Sequence, residues 1–217
     1  LTQLPILSTT FPSTTATALA TLGTGEFPGA HGMLGYTIKV PHSGEPGRLI
    51  NALKWDERVD PVLWQKSETL YERAIELGIK STYIAARRYE GTGFTRATLR
   101  GADYVGANRF DEMVTAAKAA LSKPHSFAYL YVNNIDNAGH NDGVGSEKWL
   151  DALRIVDGLV KDFGDLGCDW TSRWISRPDA AGEAAGAAIA AAIRRRSRWW
   201  MRCGNWAMRG RTFLQTR

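Results

Sequence analysis

Residues 126–142 read Ser-Phe-Ala-Tyr-Leu-Tyr-Val-Asn-Asn-Ile-Asp-Asn-Ala-Gly-His-Asn-Asp. The first seven, 126–132, form a short and nearly continuous apolar run. A run of that length without a polar face predicts a strand covered on both sides, as in a parallel sheet. The polar segment 133–142 follows at once. It therefore sits past the carboxyl end of a strand, where open parallel sheets carry their ligands.

Upstream the pattern alternates. Residues 67–77 predict a helix, with Ser67 as its cap, Leu70, Ala74 and Leu77 on one face, and Gly78 as its stop. Residues 79–86 follow as a strand. Residues 109–121 place Phe110, Met113, Ala117 and Leu121 on one helical face. Residues 145–163 do the same with Trp149, Leu153, Val156 and Val160. Nearer the start, 16–22 reads as a short helix entered through Pro12, Ser13 and Thr14 and left at Gly23 and Gly25. Residues 34–40 alternate loosely and end at Pro41, which predicts a strand, and 42–48 is a Gly/Pro loop. Strands separated by helices predict an α/β fold: a three-layer α/β/α sandwich with a mainly parallel sheet.

The 217 residues are 44% apolar and 23% charged, ordinary for a globular chain and unlike a disordered one. No apolar run is long enough to span a membrane. The formal charge of +5 is unevenly spread. Residues 168–217 hold ten Arg, no Lys and three acids; residues 1–167 are slightly acidic, with 17 Lys and Arg against 19 acids. The body thus offers no basic face for nucleic acid. No basic-then-apolar leader opens the chain, so no signal peptide is read and the default compartment is the cytoplasm.

The segment 167–217 differs in kind and holds five of the eight Trp. It reads either as a basic amphipathic stretch for RNA or acidic lipid, or as an extension without selected structure, such as a gene read in a shifted frame. Both cysteines, Cys168 and Cys203, lie there, so cysteine counting says nothing about the body.

Two segments can carry chemistry. Residues 9–17, Thr-Thr-Phe-Pro-Ser-Thr-Thr-Ala-Thr, gather hydroxyls before a helix, whose free amides and positive dipole end suit an anion. A Thr there can act as a nucleophile only with a base or a metal beside it. Read alone, the segment serves equally as a helix cap through Ser13 or Thr14. In 133–142, Asp136 and His140 stand four residues apart, with Asp142 near, and can turn onto one ion; Zn²⁺ accepts that oxygen and nitrogen mixture. The plain alternative is an Asn/Asp/Gly turn with a solvated His. Gly23-Thr-Gly25 and Gly91-Thr-Gly93 lack the full phosphate-loop spacing and read as turns. His31 reads as a structural hydrogen-bonding residue. Arg87, Arg88 and Arg96 read as solvated surface charges, or as groups facing a phosphate.

In this order the two segments resemble the alkaline phosphatase superfamily, in its type I phosphodiesterase/nucleotide pyrophosphatase branch, which also includes phosphonoacetate hydrolase. Phe11-Pro12-Ser13-Thr14-Thr15, then Thr24-Gly25 and His31-Gly32, is similar to that family's nucleophile segment. The register puts the nucleophile at Thr15 rather than Thr10. Asp136-Asn137-Ala138-Gly139-His140 matches its D-x-x-G-H metal segment. Residues 49–61, with Trp55-Asp56, and 94–101 read like bacterial members.

The resemblance implies an alkaline phosphatase-like fold and a metal-dependent hydrolase of phosphoric esters, acting through a phospho-threonine intermediate on a small phosphate-ester or nucleotide substrate. It implies two divalent ions, zinc by preference, one held by Asp136 and His140 and the other at Thr15. Tyr36 stands where many members have an Asn that holds the phosphate, and Ala16 supplies an amide next to the nucleophile. An Asp upstream of the nucleophile and a later Asp-His-Gly segment are expected of the family and are not found here; His140 is the last histidine. The expectation is therefore a partial catalytic domain over 1–166, incomplete at both ends, followed by the 167–217 tail. The competing reading is an inactive truncated relic lacking part of the two-metal site.

Overall fold

Side-chain alternation along three strands sets the architecture. In the computed structural model, which describes residues 10–41 and 44–164, the chain forms α1 (Thr15–Thr24), α2 (Pro28–His31), β1 (Thr37–Lys39) and β2 (Leu49–Asn51). It continues through α3 (Pro61–Trp64), α4 (Leu70–Glu76), β3 (Lys80–Ala85), a 3₁₀ turn (Arg87–Tyr89), α5 (Gly93–Thr98) and β4 (Asp103–Gly106). It ends with α6 (Phe110–Leu121), β5 (Ser126–Leu130), α7 (Asn134–Asp142) and α8 (Glu147–Gly164). The stretches 1–9 and 165–217, and with them Thr9, both cysteines and the Arg- and Trp-rich tail, lie outside the described residues.

The fold is α/β. Strands β4, β3 and β5 form a parallel sheet in that order, with Tyr83 opposite both Tyr104 and Tyr129. Successive residues of a strand face opposite sides. Ile84, Val105, Ala128 and Leu130 therefore share one face, covered by Met113 and Ala117 of α6 and Leu159 of α8. Tyr83, Tyr104, Phe127, Tyr129 and Tyr131 share the other, where Tyr71 of α4 packs. Rings of Tyr83 and Tyr129 stack at 5.0 Å between centroids. Full burial of an apolar side chain such as Ile84 contributes about 2 kcal/mol.

The most deeply buried strand is β3, in the middle of the sheet; five of its six residues are buried. The run 126–132, expected to be covered on both sides, is only partly buried through β5. Among the described residues β5 has a strand neighbour on one side only, which explains the difference.

A second core is built on α1, the antiparallel hairpin β1–β2, Trp55 and α5. Helix α1 is capped by Thr14, whose hydroxyl accepts the Thr17 amide, and ends at Gly25 with φ 72°. Helix α4 begins two residues later than expected. Thr69, not Ser67, is its cap, because Thr69-Leu-Tyr-Glu72 closes a reciprocal capping box. Its buried residues are Tyr71 and Ala74, while Leu77 is exposed. Among the described residues no helix is long and apolar enough to cross a membrane.

Helices α1 and α5 meet where Gly23 lies against the backbone of Thr98; a Cβ on Gly23 would collide with the Thr98 carbonyl oxygen. Backbone cannot yield as a side chain can. Gly23→Ala is expected to destabilise the fold by about 2 kcal/mol, as overpacking does. Gly29→Ala, with nothing within 4 Å of the new carbon, is expected to stay within about 0.5 kcal/mol. Urea unfolding of both variants checks the contrast.

Candidate active site

The hydroxyls that open α1 have separate fates. Thr10 donates to the carbonyl of Pro12 at 3.3 Å. Thr14 and Thr17 share a hydrogen bond of 2.9 Å, and Thr14 also caps the helix. Those three are committed to structure. The side chains of Ser13 and Thr15 have no hydrogen-bond partner among the described residues. Ser13 is exposed and outside the helix; Thr15 is half-buried and is its first residue. The first amides of a helix lack intrahelical acceptors, and here the cap takes only that of Thr17. Of the free first-turn amides, that of half-buried Thr15 is therefore available beside its own hydroxyl. Ala16 is fully buried as a whole residue, backbone included, so the structure does not expose the amide that the family resemblance would assign to substrate.

Tyr36 is exposed, and its carbonyl accepts the Ala52 amide at the foot of the hairpin. The residue before it, Gly35, lies against Pro12, which brings Tyr36 to the entrance of α1. Phe11, almost wholly exposed, stands at the same entrance. His31 is buried. Its Nδ1 accepts the Met33 amide at 3.1 Å, so Nε2 carries the proton and donates to Thr21 at 2.9 Å. This is the structural role the sequence suggests for it.

The segment 133–142, for which an Asn/Asp/Gly turn was the plain alternative, is helical over Asn134–Asp142. One turn of helix brings Asp136 and His140 onto the same exposed face, with Oδ1 and Nε2 3.6 Å apart. They form an ion pair when His140 is protonated and a two-donor set when it is not. Two donors of one tetrahedral zinc stand about 3.3 Å apart. The pair therefore fits as part of the shell of one divalent ion. Asp142 does not join them; it pairs with Lys148 at 2.6 Å. Among the described residues no group of three or more His, Cys, Asp or Glu is placed to hold a metal.

Asp136 and His140 are thus brought together on α7, which packs on α8. Thr15 and Tyr36 belong to the other core, where α1 packs on α2, α4 and α5. Among the described residues no hydrogen bond or ion pair joins α1 to α7.

A further group of polar residues, unremarked in the sequence apart from Arg88, meets at the carboxyl ends of β3 and β5. Tyr89 leaves β3 through the 3₁₀ turn, and its hydroxyl accepts from Arg88 at 2.7 Å and from the side-chain amide of Asn133 at 2.9 Å. Tyr131 lies edge-on to Tyr89, with centroids 6.4 Å apart. Burial pushes the Tyr131 hydroxyl up to about 12; Tyr89 and Asp136 add to the shift and Arg88 opposes it. Tyr131 thus stays protonated and neutral across the physiological range. The signal that could have found these residues is positional, since they follow strand ends just as Asp136 does.

The fold class is thereby an α/β sheet with hydroxyl, carboxylate and imidazole groups at the ends of its elements. A family model described as type I phosphodiesterase/nucleotide pyrophosphatase matches residues 2–166, and the chain belongs to that family. The family is one of hydrolases that act on small phosphate-ester substrates. No individual curated protein matches the chain.

Proposed function

We propose that the chain hydrolyses phosphodiester or nucleotide pyrophosphate bonds through a phospho-threonine on Thr15. What carries this reading is the Thr15 hydroxyl: half-buried, without a hydrogen-bond partner among the described residues, and set on the first residue of α1, whose amide has no intrahelical acceptor. The Thr15 oxygen attacks phosphorus in line as its proton passes to water, a new O–P bond forms, and the leaving oxygen departs with the ester group and takes a proton from water. Water then cleaves that O–P bond and returns Thr15. The amide of Thr15, the first residue of the helix, donates to an equatorial oxygen as negative charge builds there. Tyr36, exposed at the same entrance, contacts the substrate.

Asp136 and His140 would hold one divalent ion, zinc by its tolerance of mixed oxygen and nitrogen donors, and Thr15 would face a second. When bound, such ions supply positive charge to phosphate oxygens and acidify a coordinated hydroxyl. The test is release of p-nitrophenolate from bis-p-nitrophenyl phosphate with and without zinc. Asp136→Asn is expected to weaken zinc binding at least about tenfold, the smallest loss seen even for groups that only support a ligand. Competition with a chromophoric chelator measures it.

A second reading keeps the fold and drops the reaction. It is favoured by the two-donor set at Asp136 and His140, to which no third such group is added among the described residues. An isolated pair of ligands binds weakly. No zinc binding together with no p-nitrophenolate release would decide for this relic.

A further inference from the structure

Of the three arginines that could face a phosphate, two are committed. Arg87 pairs with Glu112 at 3.2 Å and Arg96 with Glu57 at 3.0 Å. Arg88 has no carboxylate partner among the described residues. Instead its guanidinium lies 4.8 Å from the centroid of the Tyr89 ring and donates to the Tyr89 hydroxyl. Its charge is held in place without being neutralised.

The Tyr89 hydroxyl already accepts two hydrogen bonds, from Arg88 and from Asn133. Both lone-pair directions are used, and its own proton has no acceptor among the described residues. It is oriented to donate outward. Asn133 precedes α7 as its N-cap, yet its side chain is spent on Tyr89 and makes no cap hydrogen bond. The first turn of α7 carries Asp136. The position also matches general topology. The chain leaves β3 toward the face where Leu99 and Ala102 pack, and leaves β5 toward α8 on the opposite face. Adjacent parallel strands whose connections part in this way open a crevice at their carboxyl ends. Tyr89 and Asn133 bridge that crevice.

We propose that Arg88 and Tyr89, braced by Asn133, form an oxyanion subsite beside the Asp136–His140 pair that takes a second phosphate group of the substrate. The guanidinium supplies charge and further N–H donors, and the Tyr89 hydroxyl supplies one more. This rests on the phosphoryl-transfer reading for its role in a reaction, but not for its existence as a binding site.

The test is calorimetric titration of the full chain with inorganic pyrophosphate and with inorganic phosphate, in the presence of a chelator so that bound metal contributes nothing. Arg88→Gln is expected to lower pyrophosphate affinity about tenfold or more and to reduce the preference for pyrophosphate over phosphate. Tyr89→Phe should lower it about threefold. Arg87→Gln, which removes an equal charge one residue away, should change it less than twofold. Equal losses in Arg87→Gln and Arg88→Gln would mean general attraction of anions and would overturn the proposal. So would unchanged binding in Arg88→Gln. Failure of the phosphodiesterase assay with these binding differences intact would sink the reaction and leave the subsite standing.

Discussion

Thr15→Ala is expected to lower the turnover of bis-p-nitrophenyl phosphate by on the order of 10⁴-fold, with KM little changed. Removing a nucleophile abolishes the covalent route, and what remains is the assistance of binding and fixed charge. Thr15→Ser keeps an oxygen at the same atom and is expected to retain measurable turnover. The neighbouring hydroxyls make the experiment specific. Thr14→Ala removes the cap of α1 and is expected to cost about 1 kcal/mol of stability while sparing the chemistry. Ser13→Ala removes an exposed hydroxyl that holds nothing among the described residues and is expected to change neither. A phosphoryl group trapped on the Thr15 peptide and identified by mass spectrometry completes the case. Equal turnover in Thr15→Ala and the parent chain ends it.

The parts of the molecule that were readable before any coordinates are those where one signal dominates. Helix α6 was legible because Phe110, Met113 and Ala117 recur on one face over twelve residues, and Met113 and Ala117 are indeed buried. The 79–86 strand is β3 to within a residue at each end. The start of α1 was legible because Thr14, Gly23 and Gly25 punctuate it; the structure adds that Gly23 is inside the helix and Gly25 is its stop. Short elements were not. Strand β2 has three residues and strand β4 four, too few for a period to appear. Helix α5 opens on Gly93, a residue that argues against helix, and forms because Phe94 and Ala97 are buried in the core built on α1 and the β1–β2 hairpin. Six of the nine residues of helix α7 are Asn, Asp or Gly, all poor helix formers. It packs on α8, where Trp149 comes close to Gly139. Tertiary contact overrides propensity there. It also turns Asp136 and His140 from neighbours in a loop into neighbours on a helical face.

The same distinction applies to the site. Residue types and spacing singled out the hydroxyl run 9–17 and the pair Asp136 and His140, while only the family resemblance picked Thr15 out of that run. Arg88 was legible as a charge, but not as the one without an acid, since Glu112 and Glu57 reach its two companions from 25 and 39 residues away. Tyr89 was not legible at all. A tyrosine after a strand is ordinary; only the two donors converging on its hydroxyl, one of them from 44 residues away, make it otherwise.

The stability of the fold is expected to fall by about 3 kcal/mol as pH drops from 6.5 to 4, through His31 alone. Burial pulls this imidazole down to about 4, against a backbone hydrogen bond that acts the other way. In the folded chain Nδ1 must accept from Met33, so a second proton would break that bond as well as place a charge against the core built on α1. The unfolded chain takes up the proton near pH 6.5. Between the two values the unfolded state binds more protons than the folded one, and each pH unit removes about 1.4 kcal/mol. The contribution is complete above 6.5, is lost progressively below it, and levels off below about 4. His31→Gln is expected to be less stable at pH 7.5, where it loses a fitted hydrogen-bond pair, but to lose about 3 kcal/mol less than the parent chain between pH 7.5 and 4. Asp56 does not confuse the measurement. Its carboxylate, held down by hydrogen bonds from Arg58 and Arg48, gives up its stabilisation as pH falls through the ordinary carboxylate range and below, and does so equally in both proteins. Urea unfolding of both proteins at four pH values across the window provides the slopes. Parallel slopes would mean that His31 is charged in the folded chain, and with it that the hydrogen bonds linking α1 to α2 through Thr21 and Met33 are arranged differently.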